Sequence, residues 1–143
     1  MLDRLAARYR RDLFDSVIPF WTKHSLDREH GGYFTGLDRD GSVYDDRKYL
    51  WLNGRQVWML SRLYNSVEKR PEWLDAARLG ADFLRRYSRD EQGRCYFALT
   101  RDGRPAAFQR KPYGAVFIML GWLEYWQAGG EAWAQREAMD LFW

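Results

Sequence analysis

The sequence predicts an all-α fold: an incomplete α/α toroid of about two helix-pair repeats, with short β-hairpins in the long loops. Three observations predict it. Helices with one apolar stripe alternate with helices that are apolar nearly all round, which separates an outer from an inner layer. Glycine-rich turn signals fall between them, at Gly31-Gly32, Asp40-Gly41 and Asp102-Gly103. The third observation is a repeat. Tyr33-Phe34, Arg39-Asp40-Gly41 and Lys48 recur as Tyr96-Phe97, Arg101-Asp102-Gly103 and Lys111, at offsets of 63, 62 and 63 residues.

In chain order, Leu2, Leu5, Ala6, Tyr9, Leu13 and Val17 keep a helical period to about Ile18, where Pro19 kinks the helix or opens a new turn that ends by His24. Tyr33 to Leu37, between turn signals, reads as a small hairpin. The second helix is predicted from Asn53 to about Val67, with Val57, Leu60, Tyr64 and Val67 on one side and Trp58, Met59 and Leu63 widening the apolar surface. Pro71 opens a third helix to about Ser88, striped by Trp73, Leu74, Ala77, Ala81, Leu84 and Tyr87. A turn-rich stretch precedes a fourth helix, Tyr113 to about Gln127, apolar nearly all round and stopped by Gly129-Gly130. A fifth runs from Glu131 to Trp143. It closes on AMDLFW with no cap, Gly or polar tail, which reads as truncated. Repeats bury their cores only through neighbours, so residues 1–143 are expected to be one domain that is part of a larger barrel, or one that covers its inner helices by association.

Composition removes several function classes. Trp, Tyr and Phe make up 17% of the chain, more than a core of this size needs; their flat faces suit stacking on sugar rings as well as packing. The net charge of +3 is spread among interleaved acids, with no dense basic run, so no nucleic-acid partner is inferred. Cys95 is the single cysteine, which excludes an internal disulfide and a multi-thiolate metal site and fits a reducing compartment. The N-terminal segment has no apolar signal region and no stretch reaches membrane-span length, so the expected location is cytoplasmic. Asp38-Arg39-Asp40-Gly41 lacks the later ligands of a calcium loop and reads as a turn. His24 and His30 lack the spacing of a metal pair. The reading includes no metal, no cofactor and no membrane partner.

Arg55 is the candidate for chemistry. A helix beginning Asn53-Gly54-Arg55 carries a cation in its first turn, where the macrodipole disfavours positive charge. Either Asp45 or Asp46 pairs with it, or it points into a pocket to hold an anionic or oxygen-rich ligand.

Residues Phe20 to Asn65, FWTKHSLDREHGGYFTGLDRDGSVYDDRKYLWLNGRQVWMLSRLYN, together with LTRDGRP and KPYGAVFIMLGWLEYWQAGG, resemble the N-acylglucosamine 2-epimerase family, which also includes cellobiose 2-epimerases and mannose isomerases. The resemblance implies an (α/α)6 barrel whose cavity binds a reducing sugar and moves a proton at C2 through an enediolate. It implies that Arg55, in GRQVW, is the active-site arginine, and that Tyr113 and Lys111 in KPYG, with Trp51 and Asn53 in WLNGR, bind substrate. Where several relatives carry polar residues after the helix-four aromatic, this chain has Gly114 and Ala115. Proton transfer on both faces of C2 needs two acid/base groups. The family uses two histidines on later inner helices, and His24 and His30 do not match them. The expectation is therefore a sugar 2-epimerase interconverting N-acylglucosamine and N-acylmannosamine, inactive as this chain alone. Its partners would be a small sugar and either a C-terminal completing part or further copies. The alternatives are a mannose isomerase of the same fold and a non-catalytic helical interaction module.

Overall fold

The structure, a computed structural model, describes residues 1–108 and 113–142. It opens with a rod formed by α1 (Leu2–Asp12), a π-helical turn (Leu13–Val17) and α2 (Ile18–His24). Pro19 falls in the first turn of α2. The wider turn before it bonds the Ile18 N–H to Leu13 O, so the chain has already changed helical register where proline offers no donor. No residue of α1 is buried, and its stripe of Leu2, Leu5, Tyr9 and Leu13 faces outward. Ile18 anchors the rod in the core.

Two short strands follow, β1 (Gly36–Leu37) and β2 (Val43–Asp45), paired antiparallel. Then β3 (Lys48–Tyr49) leads straight into α3 (Leu50–Ser66). This helix starts three residues before the predicted Asn53. Its N-cap is Tyr49, extended at φ −79° and ψ 116° and making no side-chain cap bond, so the start carries none of the usual sequence signal. Arg55 therefore sits in the second turn, and the predicted conflict with the macrodipole is weaker than the sequence implied. The remaining elements are α4 (Pro71–Tyr87), β4 (Tyr96–Leu99), β5 (Pro105–Phe108), α5 (Tyr113–Gln127) and α6 (Ala132–Phe142), close to the predicted spans.

α3 and α5 lie side by side as the inner layer, with α4 and α6 packed outside them. Glycine permits the close approach. A Cβ on Gly54 would stand 2.6 Å from the Phe117 carbonyl, and one on Gly121 would stand 2.6 Å from Gly54 O. The core between the layers holds Val57, Leu60, Ala81, Leu84, Ile118, Trp122 and Tyr125. Trp122 crosses it to donate its indole N–H to Ala81 O at 3.2 Å and meets Trp133 edge-on. The all-round apolar character of the inner helices is only partly used: Trp58, Val116 and Leu120 remain 41, 47 and 40% exposed on a face that none of the described residues covers.

The repeat is real, and its register differs from the sequence reading. Asp38 N–H bonds Ser42 O in the first hairpin turn, as Thr100 N–H bonds Arg104 O in the second, and Gly41 and Gly103 take matching positive φ of 88° and 91°. Upstream, the bridge between Leu26 and Tyr33 corresponds to that between Arg89 and Cys95. Tyr33 thus matches Cys95, not Tyr96, because the first unit has one more residue between its conserved-geometry aspartate and the hairpin: Asp27 accepts N–H bonds from Glu29 and His30, and Asp90 from Gln92 and Arg94.

The two units are joined by β3, which pairs with β4 in the register Lys48–Leu99 and Tyr49–Ala98. Beneath this junction Lys48 is fully enclosed. Its ammonium donates to Asp27 Oδ2 at 2.9 Å, to Arg101 O at 2.8 Å and to Gly31 O. Arg101 completes the network, donating to Asp27 and to Glu29. Burial pushes the Asp27 carboxyl up, but the bonds from Arg101, Lys48 and the His30 N–H outweigh it and hold the group well below the usual carboxylate range.

Candidate active site

The N-terminal half of α3 and the first turns of α5 bring an arginine and three aromatic rings together. The Arg55 guanidinium lies 5.4 Å from the Phe117 ring centre and 5.7 Å from that of Trp51. Tyr113 stands 6.0 Å from Trp51 and meets Phe117 edge-on at 5.0 Å, 49% exposed at the mouth of the group. The residues recur at one helical turn, Trp51 to Arg55 on α3 and Tyr113 to Phe117 on α5, so each pair shares a face. Gly54 against Phe117 sets how near these faces come.

Asp45 is not the partner of Arg55. Its carboxylate is taken by Arg47, at 2.8 and 2.9 Å, and by the Tyr49 hydroxyl, at 3.0 Å. Those bonds, Arg47 first, hold Asp45 down at about 2. Among the described residues no carboxylate forms an ion pair with Arg55, and its side chain is exposed. The guanidinium borders two spaces. One is a cavity of about 440 Å³ between the α2 rod and α3, lined by Trp21, Thr35, Gln56, Trp58 and others. The second, about 220 Å³, is formed by Arg55, Trp58, Phe117 and Leu120. A wider groove of about 810 Å³ between the rod and α4 lies away from this group and mixes arginines with acids.

Of the residues nominated from sequence, Trp51, Arg55 and Tyr113 are brought together. Asn53 does not line either space: it is fully buried, accepting from Tyr33 N–H at 2.9 Å and donating to Tyr49 O at 3.2 Å. Its amide ties the hairpin loop to the start of α3. Lys111 lies outside the described residues. Phe117 and Trp58 were not nominated, though each falls on the face of a nominated residue at helical spacing, Phe117 after Tyr113 and Trp58 after Arg55. Gln56, buried and donating to Ser25 Oγ at 2.6 Å, ties α3 to the end of α2.

The histidines serve the loops. His24 stacks on Phe20 at 5.1 Å and packs so tightly on Gly41 that a Cβ there would fall 2.1 Å from Nδ1. His30 lies beside Glu29. Cys95 is half-buried, and burial pushes its thiol up, away from the thiolate a nucleophile needs. Among the described residues no group of three His, Cys, Asp or Glu is placed to hold a metal, and no helix is long and apolar enough to cross a membrane.

What the arrangement can do is present donors on a positive, aromatic-walled surface to an oxygen-rich ligand, with flat rings beside them. The sequence profile described as N-acylglucosamine 2-epimerase (GlcNAc 2-epimerase) matches residues 32–143. The N-acylglucosamine 2-epimerase of Mus musculus is 52% identical over 131 residues, which are 89% of this chain and 31% of that protein. A cellobiose 2-epimerase of Dictyoglomus turgidum is 31% identical over 132 residues, 90% of this chain and 32% of that protein. Among solved structures, the cellobiose 2-epimerase from Bacillus thermoamylovorans B4167 superposes with a TM-score of 0.87 at 27% identity, over 98% of this chain and 36% of that one. This chain therefore spans about a third of the length of the relatives it matches. The chain is mostly helical, and its paired helices and short hairpins are consistent with a partial toroid. With the profile matched from Gly32 onward and the fold shared over nearly all its length, the chain belongs to the N-acylglucosamine 2-epimerase family.

Proposed function

We propose that this chain carries the arginine side of a sugar 2-epimerase site within an (α/α)6 barrel, acting on N-acylglucosamine and N-acylmannosamine. The reaction removes the proton at C2 next to the C1 carbonyl, leaves an enediolate, and returns a proton to the opposite face. Arg55 donates to the sugar oxygen that becomes negative, where it acts with the uncapped backbone N–H groups at the start of α3. Trp51 and Tyr113 offer ring faces to the sugar, Lys111, two residues before Tyr113 in the sequence, joins them in binding it, and Asn53 contributes by holding the start of α3 to the Tyr33 backbone. The proton-moving pair comes from outside these residues, since His24, at the end of α2, packs on Phe20, His30 is exposed beside Glu29, and neither lines the spaces beside Arg55. A reducing cytoplasm suits the lone thiol of Cys95.

The observation that carries this reading is Arg55 itself: a guanidinium beside open space, bracketed by aromatic rings, with no carboxylate pair among the described residues. The test is to titrate the chain with N-acetylmannosamine and N-acetylglucosamine while following tryptophan fluorescence, alongside Arg55→Ala. Binding in the wild type that drops at least tenfold in the variant supports the site. In a protein that also carries the acid/base pair, Arg55→Ala should cost about 2.7–4 kcal/mol of transition-state stabilisation, read as loss of C2 deuterium exchange. Equal binding by wild type and variant would reject it. The uncovered face of Trp58, Val116 and Leu120 favours a second reading, a helical interaction module, in which sugar has no effect.

A further inference from the structure

Resting on that reading of the site, we propose that Phe117 is a positioning residue for Arg55: from α5 it closes, with Trp51, an aromatic clamp that sets the direction of the guanidinium. An exposed arginine ordinarily samples many rotamers, and a donor that must meet a developing charge loses effect if it has to be ordered first. Proteins often order arginine with a carboxylate, but a carboxylate occupies the very N–H groups the ligand needs. A ring face holds the cation through its quadrupole and leaves the edge donors open. Arg55 has the second arrangement, with ring centres at 5.4 and 5.7 Å.

Phe117 is itself held in place. Tyr113 meets it edge-on at 5.0 Å and Trp51 lies 6.3 Å away. Its backbone is seated against Gly54, the residue preceding Arg55, where no side chain fits between the helices. The separation of Phe117 from Arg55 is thus set by helix packing and not by the side chains alone. The clamp spans the two repeat units, so that the second unit orients the arginine of the first.

The arginine Nε–H resonance reads the clamp directly, because a proton over a ring face is shifted upfield by its ring current. In the full chain, the Arg55 resonance, assigned by its disappearance in Arg55→Lys, should lie upfield and move downfield in Phe117→Leu. Phe117→Tyr, which keeps the face, should hold it upfield. Should Phe117→Leu fail to fold, Phe117→Met, similar in volume but faceless, carries the same comparison. N-acetylmannosamine titrated into the same proteins should bind about 3- to 10-fold more weakly without the ring and within about 2-fold of wild type with Tyr. An unmoved resonance in a folded Leu or Met variant, or a Tyr variant that shifts as far as they do, overturns the clamp. A wild type that binds no sugar yet shows the ring-dependent shift sustains the clamp and removes the sugar reading instead.

Discussion

Asp27 shows how much one residue can hold. It is 1% exposed, ligated by Lys48 and Arg101 and by backbone N–H groups of its own loop, and it joins a loop of the first unit to the hairpin of the second. Its carboxyl is held below the usual range, so folding favours the charged form. The stabilisation is complete above the unfolded value near about 3.9 and is lost as pH falls from there toward the lower folded value. Asp27→Asn leaves the Lys48 ammonium buried without its counter-charge, a loss of about 3–5 kcal/mol at neutral pH, and it removes this acid-dependent part. Urea denaturation at pH 7 and at pH 3 should show the variant weaker than wild type at pH 7 and the gap narrowing at pH 3. None of this is visible in the composition: Lys48 stands in the sequence only as a landmark of the repeat, and no spacing along the chain brings Asp27 to it or to Arg101.

At the scale of elements, the two inner helices depend on a pair of glycines that local propensity would have removed. Glycine inside a helix costs about 1 kcal/mol relative to alanine, so Gly54→Ala should help α3 considered alone. In the fold the new methyl meets the carbonyl and the next amide nitrogen of α5, backbone atoms that cannot rotate away. The net effect should be a loss of about 1–3 kcal/mol, measured as a lower urea midpoint, with displaced aromatic resonances of Trp51 and Phe117. Helix types and most boundaries were legible because a period of apolar residues and a proline or glycine stop lie within a few residues of one another. The start of α3 was not, because Tyr49 caps it by backbone conformation alone and Asn53 offered a more conventional start. That displacement changed the standing of Arg55, whose interest lies in its ring contacts and open surroundings and not in a clash with the helix dipole.

For the whole molecule, the layer pattern read from the sequence holds, but the inner helices keep an uncovered apolar side, and the stripe of α1 adds Leu2, Leu5 and Tyr9 to the exposed surface. The isolated chain should therefore associate. Sedimentation velocity should show a mean size that rises with protein concentration, and Trp58→Gln with Leu120→Gln should lower it; a compact monomer at all concentrations would contradict this. The sequence by itself determined the alternation of helix classes, the hairpin turns, the 62–63-residue repeat, the family and the likeness that pointed to Arg55, Trp51 and Tyr113. All of these are local patterns, or recurrences of them. Only the tertiary structure decided that Asn53 is spent on the backbone, that Asp45 belongs to Arg47, that the two Tyr-Phe pairs are out of step by one, and that Phe117 faces Arg55. The physical reason is distance along the chain. The bond from Arg101 to Asp27 closes over 74 residues, and which groups meet across such a span is set by how helices pack and not by the residues beside them.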